Sequence, residues 1–308
     1  MSNKILLIVF LLLLAAFGAS RIFSGKNERT FNPEIISVDS TQVTSIIVQA
    51  KADSLQQILL RRESNGWTVS KNNKTVAASM ESVQQLLASL SLVKSAYIAA
   101  KSEEKWAEYE LAEGKASHLT VYSGNKVLAD FYVGKYSVNP EARQITSFFR
   151  LKKGQEIYAV EGMAGMMLSQ GFSSYRSKDL LKLDHYAVGQ LSYEGDATYE
   201  AKWTGEQWLL NGTIPLDSNK VRNFLLNLRS MSGEEFVDGF DPEANSEKLL
   251  KKLTISGSNM AEPVIVRCWQ DTTLAKPFVI QSSQFPESFF ESDSSRLFKR
   301  LFKPVTEW

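Results

Sequence analysis

The chain has 308 residues, with 35 Lys and Arg against 34 Asp and Glu, and 44% of its residues are apolar. That length suits two ordinary domains or one large one, and the composition excludes a disordered, collagen-like or disulfide-framework protein. A formal charge of +1 argues against a dedicated nucleic-acid binder, whose affinity rests on a basic excess, so no nucleic-acid partner is expected.

The N-terminus opens on an unbroken apolar run from Ile5 to Ala19, preceded by Lys4. At about 1.5 Å per residue the run reaches roughly 22 Å, short of the roughly 30 Å hydrocarbon core. Carried on through Phe23, with Arg21 snorkelling to the interface, it reaches about 28 Å. An uncleaved membrane anchor over residues 1–24 is the expectation. A cleaved signal peptide and a buried helix are its alternatives, with Ala16-Phe17-Gly18 as the small-x-small cleavage candidate. No cysteine stands directly behind the run, which excludes a lipoprotein anchor. Arg21, Lys26 and Arg29 behind the run outnumber Lys4 ahead of it, a count that favours a cytoplasmic soluble part. An N-terminal signal-anchor more often exports the domain behind it, and the soluble part is expected outside the inner membrane.

Residues 25–40 read as a linker, polar from Gly25 to Pro33. Strands are expected over Val43–Val48, Gln57–Arg62 and Trp67–Val69, with Ser64-Asn65-Gly66 as a turn. From Ser79 the period changes: Val83, Leu86, Leu87 and Leu90 line one face of a helix. Strands return at Leu119–Tyr122, Val127–Val133, Ile145–Phe149 and Ile157–Val160. A Met-rich helix (Met163, Met166, Met167, Leu168) and a further helix over Ser177–Leu183 complete a first module at 41–186. The methionines read as core filler.

The same order then recurs at 187–308. Leu191–Trp203 is strand material, Thr204-Gly205-Glu206 a turn, and Trp208-Leu209-Leu210 resumes the sheet as Trp67-Thr68-Val69 does. A helix with Ser218 as N-cap carries Val221, Phe224, Leu225 and Leu228, answering Val83, Leu86, Leu87 and Leu90. Leu253-Thr254-Ile255 answers Leu119-Thr120-Val121, and Phe289–Phe302 is expected to close the chain as an amphipathic helix. The fold class expected is α+β: two tandem copies of an antiparallel sheet-plus-helix module behind an N-terminal transmembrane helix.

The chain carries no constellation that reads as catalytic, cofactor-binding or metal-ligating, and no cofactor is expected. His118 and His185 are the only histidines, neither with a partner at metal-ligand spacing, and they read as surface or cap residues. Cys268 sits in the strand-like run Val264–Trp269 and reads as a small apolar residue rather than a reactive thiol. Ser91, Ser102 and Ser123 each precede a lysine by three, a pattern that chance supplies in a chain rich in both residues. Glu103-Glu104 and Glu234-Glu235 read as solvated loop pairs rather than acid–base couples. Trp67, Trp203 and Trp208 read as core or cross-strand packing rather than a stacking platform.

Several short motifs point to one family: Glu108-Tyr109-Glu110-Leu111, Leu119-Thr120-Val121, Tyr132-Val133-Gly134, Phe148-Phe149-Arg150 and Ile157-Tyr158-Ala159-Val160. Tyr175 to Leu181 and Gly239-Phe240-Asp241-Pro242 join them. In these the chain resembles a bacterial domain-of-unknown-function family of membrane-anchored envelope proteins, similar to auxiliary proteins of gliding-motility-type ABC transporters. It departs at Glu110-Leu111-Ala112-Glu113-Gly114, where the family often has Gly-Leu-Asp-x-Pro; the later copy keeps that pattern better. The resemblance implies an extracytoplasmic domain working beside a transport system. The function expected is a membrane-anchored binding or scaffolding protein, accessory to an ABC-type transporter or another envelope partner. The alternatives are a cell-envelope hydrolase with its site between the two modules, and a lipid or polysaccharide carrier with an apolar cavity between sheet and helices.

Overall fold

The computed structural model describes residues 33–308. They form two compact units, one of residues 33–75 with Met80–Ser174, the other of Val76–Ser79 with Tyr175–Trp308. The expected anchor over 1–24 lies outside the described residues. Among the described residues no helix is long and apolar enough to cross a membrane.

In chain order the first set of elements is β1 (Glu34–Ile36), β2 (Ser45–Gln49), β3 (Gln57–Glu63), β4 (Gly66–Lys71), β5 (Lys74–Ala77), α1 (Met80–Ser91), β6 (Val93–Lys94), β7 (Tyr97–Ala100), β8 (Ser117–Ser123), β9 (Lys126–Asn139), β10 (Gln144–Leu151), β11 (Ile157–Glu161), α2 (Ala164–Leu168) and α3 (Phe172–Tyr175). The second set is β12 (Asp179–Lys182), β13 (Val188–Glu194), β14 (Thr198–Trp203), β15 (Trp208–Leu210), β16 (Ile214–Leu216), α4 (Ser218–Leu228), β17 (Ser230–Ser232), β18 (Glu235–Phe236), β19 (Leu249–Gly257), β20 (Val264–Gln270), β21 (Phe278–Ser282), β22 (Phe290–Ser292) and α5 (Leu297–Leu301).

Each set builds one nine-stranded sheet, mostly antiparallel. The first runs β5-β4-β3-β2-β8-β9-β10-β11-β7 and the second β16-β15-β14-β13-β19-β20-β21-β22-β18. Every strand label in the second order is eleven higher than its counterpart in the first, and the small pairs β1–β6 and β12–β17 obey the same rule. An internal repeat requires such an order. The expectation of helix faces packed on antiparallel sheets is met in coarse form: the described residues are sheet-rich, and the helices among them are few and short.

Packing follows from the periodicities. Val83, Leu86 and Leu90 of α1 are all buried, and Val221, Phe224, Leu225 and Leu228 of α4 are buried likewise. Each such side chain contributes about 1.5–3 kcal/mol when fully buried. In the second unit they join the inward residues Leu191, Ala201, Leu253, Ile255, Val266 and Ile280 of the sheet in one core.

Several expectations are corrected. Ser177–Leu183 is not a helix: Asp179–Lys182 is a strand, paired with β17 through Asp179–Ser232 and Lys182–Ser230. Leu180 and Leu181 are both fully buried there, so a two-sided apolar run mimics a helix face. Phe289–Phe302 divides into strand β22 and the short helix α5, because Asp293 closes a turn by accepting from the backbone of Ser295 and Arg296. The N-cap of α4 is Asp217 rather than Ser218: its carboxylate accepts from the Asn219 and Lys220 backbone N–H groups at 2.8 and 3.3 Å. Leu191–Trp203, expected as strand material, is the hairpin of β13 and β14. Glu34–Ile36, inside the expected linker, is a strand paired with β6.

Candidate functional site

The shared strand register lets the two sheets be compared residue by residue. Ile46 pairs with Val121 and Leu60, and Leu191 pairs with Ile255 and Ala201, so Ile46 and Leu191 hold the same place. One hairpin further, Arg62 faces Trp67 across β3–β4 and Trp203 faces Trp208 across β14–β15. Trp208 thus stands where Trp67 stands, and both are buried. Trp203 stands where the first unit has Arg62.

That exchange alters the local chemistry. In the first unit Arg62 lies over the Trp67 ring at 5.1 Å and donates to the carbonyl oxygens of Ser40 and Thr41 at 2.8 and 3.2 Å. It ties the turn at Asp39–Thr41 to the sheet. The second unit repeats the turn: Asp184 accepts from the Tyr186 backbone N–H at 3.1 Å, as Asp39 accepts from that of Thr41 at 2.9 Å. Its tether is absent, because Trp203 has no guanidinium to donate. Trp203 instead leans on Trp208, with ring centroids 6.0 Å apart, and Tyr186 stands 81% exposed beside His185, at 4.0 Å between rings.

These residues surround a pocket of about 240 Å³, walled by His185, Tyr186, Trp203 and Trp208 and flanked by Ser218 and Arg222 from the first turns of α4. Among the described residues the Arg222 guanidinium has no hydrogen-bond or ion-pair partner. His185 is buried and its Nε2 is enclosed without a hydrogen-bond partner. Tryptophan, tyrosine and arginine are the residues in which protein–protein binding energy concentrates, and two of these aromatic rings are exposed.

The residues singled out in the sequence fall elsewhere or apart. His118 bridges Gln49 at 3.0 Å and Asp130 at 2.6 Å and stacks on Tyr132, so both ring nitrogens are engaged. Cys268 is fully buried in β20, and burial pushes its thiol up to about 12. Glu103 and Glu104 lie in a short 3₁₀ turn. Glu234 pairs with Arg296, whereas Glu235 is in β18 opposite Glu291, with Lys276 at 2.8 and 3.7 Å from the two. Among the described residues no group of three or more His, Cys, Asp or Glu could hold a metal ion. Tyr186 and Arg222 escaped sequence reading because an exposed tyrosine after a turn and an arginine in a helix are ordinary. Aligning the two copies would have shown Trp203 against Arg62.

The fold and its paired registers define a class: an antiparallel, sheet-rich protein whose two units share one strand order and differ in what covers the sheet. The comparison with family models is more specific. Residues 67–252, more than half of the chain, match the family described as a domain of unknown function, DUF4340, and the chain belongs to that family. No curated protein and no solved structure matches the chain.

Proposed function

We propose that the chain is a membrane-anchored, extracytoplasmic binding and scaffolding protein, accessory to an ABC-type transport system. The observation that carries the binding reading is the patch of Tyr186, Trp203 and unpaired Arg222 around the pocket of the second unit. The apolar run Ile5–Ala19 supports the anchor. The partner that fits the patch presents an apolar side chain for the Trp203–Trp208 wall and a carboxylate for Arg222.

Affinity purification of the full chain from membranes tests this. An ABC-transporter subunit co-purifies with the wild-type chain and is lost with Trp203→Ser or Arg222→Ala. Recovery of no transporter subunit overturns the accessory role. Protease accessibility in intact spheroplasts decides the side of the membrane: digestion of the soluble part supports the extracytoplasmic placement, and protection overturns it. The hydrolase alternative needs two carboxylates held apart in charge state at a cavity. Glu235 and Glu291 are adjacent and share Lys276, and the hydrogen bond between them lowers Glu235 and raises Glu291, but neither lines the pocket described above.

A further inference from the structure

A second divergence between the two registers lies on β20 and β21. Leu119 pairs with Phe131 and Leu253 with Val266; one place along, Tyr132 pairs with Arg150 and Arg267 with Gln281. Arg267 therefore stands where the first unit has Tyr132 and Gln281 where it has Arg150; Trp269 follows two residues on, where the first unit's register is broken by the bulge at Gly134 and Lys135.

In the first unit these positions close the face of the sheet. A Cβ on Gly134 would lie 2.2 Å from the Tyr109 carbonyl oxygen, which accepts from the Lys135 backbone N–H at 3.0 Å. Glycine thus lets the segment 103–116 lie directly on β9. Arg150, 1% exposed, fills the space beneath, its guanidinium 3.7 Å from the Trp106 ring centroid and 4.1 Å from that of Tyr132.

In the second unit the corresponding stretch has no bulge, and an indole stands two residues beyond Arg267. Trp269 packs against Phe240 at 5.3 Å and Phe289 at 6.1 Å, and no arginine fills the space beneath. What remains is a cavity of about 450 Å³ lined by Pro242, Leu249, Arg267, Trp269, Gln281 and Phe289. Its size falls in the range of small-molecule sites, and its walls are mainly apolar with few polar groups. Arg267 is half-buried, and among the described residues its guanidinium has no hydrogen-bond or ion-pair partner. Gln281 is buried, with Nε2 donating to the Ser282 carbonyl at 2.8 Å. Glu243 also lines the cavity but is exposed and forms no ion pair with Arg267.

We infer that this cavity binds a small carboxylate with an aromatic or branched apolar body, the carboxylate on the Arg267 guanidinium and the body against Trp269 and Phe289. A planar guanidinium that forms no ion pair within the chain matches a carboxylate in geometry and sign, and the indole supplies the apolar wall. The site shares no residue with the Tyr186–Trp203–Arg222 patch and does not rest on the transporter reading.

The test uses the full chain labelled with 5-fluorotryptophan, its Trp269 fluorine resonance assigned by Trp269→Phe. Titration with 3-phenylpropionate shifts that resonance saturably, and 3-phenylpropanol, which lacks the charge, binds more weakly. Arg267→Gln weakens the carboxylate about tenfold and moves the alcohol less than about twofold, the signature of a lost charge-assisted hydrogen bond. The resonances of the other tryptophans, unchanged in Arg267→Gln, report that the variant is folded. Equal affinity for acid and alcohol, no effect of Arg267→Gln on the acid, or no saturable shift of Trp269 overturns the assignment.

Discussion

Arg150 offers the sharpest test of how the first unit closes its sheet. The side chain is 1% exposed, and leaves Nε without a hydrogen-bond partner. It is favoured by a guanidinium held between two rings, at 3.7 and 4.1 Å, and by one donated bond to the Leu111 carbonyl oxygen at 3.3 Å. A desolvated cation–π contact contributes up to about 2 kcal/mol, and a charged hydrogen bond about 1.5–3 kcal/mol at good geometry. The unmade bond at Nε costs about 1–3 kcal/mol. Arg150→Met keeps much of the volume and removes the charge, so it should destabilise the unit by about 1–2 kcal/mol. Arg150→Ala adds a cavity and should cost about 3–4 kcal/mol. Hydrogen exchange read by mass spectrometry on peptides covering 103–116 and 144–151, across a urea series, reports the local opening free energy. If Arg150→Met is as stable as the wild type or more so, stacking does not hold the arginine in place and the reasoning fails.

Three other outcomes rest on single sites. Cys268, with its thiol raised to about 12 by burial, should resist iodoacetamide at pH 8 in the folded chain and react within minutes once urea unfolds it; alkylation of the native chain at a free-thiol rate contradicts the burial. Asp217→Ala removes the cap of α4 and should cost about 1 kcal/mol in urea unfolding, whereas Ser218→Ala should cost less than half of that. Asp271 is held at about 2, below its ordinary 3.8, chiefly by the Thr273 hydroxyl and backbone N–H, with Lys248 adding to it. Its folded value lies below its unfolded value, so its stabilising contribution is complete above about pH 4 and drains away as pH falls towards 2. NMR titration of its carboxyl carbon checks the value, and a midpoint near 4 contradicts the loop geometry.

Much of the fold is legible in the sequence, and the failures share a cause. Alternation and Asn-Gly or Ser-Gly turns mark the hairpins, and the i, i+3, i+4, i+7 spacing marks α1 and α4 because each buries a single face. Trp67 and Trp208, expected as matching positions, do occupy the same place in β4 and β15. Leu180–Leu181 misleads because a strand buried on both faces loses its alternation. The short strands β6, β7, β17 and β18 carry too few residues for any period to show, and their pairing with distant strands decides them. The candidate sites are hardly legible at all. Trp203 reads as packing when taken alone, and Arg267 reads as a solvent-facing strand residue. Both acquire meaning only against Arg62 and Tyr132, through a register that pairing across three and four strands establishes.

That register also bears on how one fold carries two outcomes. A sheet with a helix on it is held together by its inward apolar residues, and several of these are matched in size: Ile46 with Leu191, Leu119 with Leu253 and Val121 with Ile255, against larger exchanges at Leu60 with Ala201 and Phe131 with Val266. The positions that differ in chemical type are those that touch a covering loop rather than the core. In the first unit arginines serve as internal ligands: Arg62 satisfies the carbonyls of one turn and Arg150 fills the space under another segment. In the second unit indoles stand at Trp203 and Trp269, and a rigid, two-ring side chain cannot reach back to a carbonyl as a guanidinium does. Each of these exchanges leaves a concavity where the first unit is plugged by its own chain, with an arginine, Arg222 or Arg267, left without a partner at its wall. Core residues can therefore stay under the same packing constraint in both copies while the covering positions change freely.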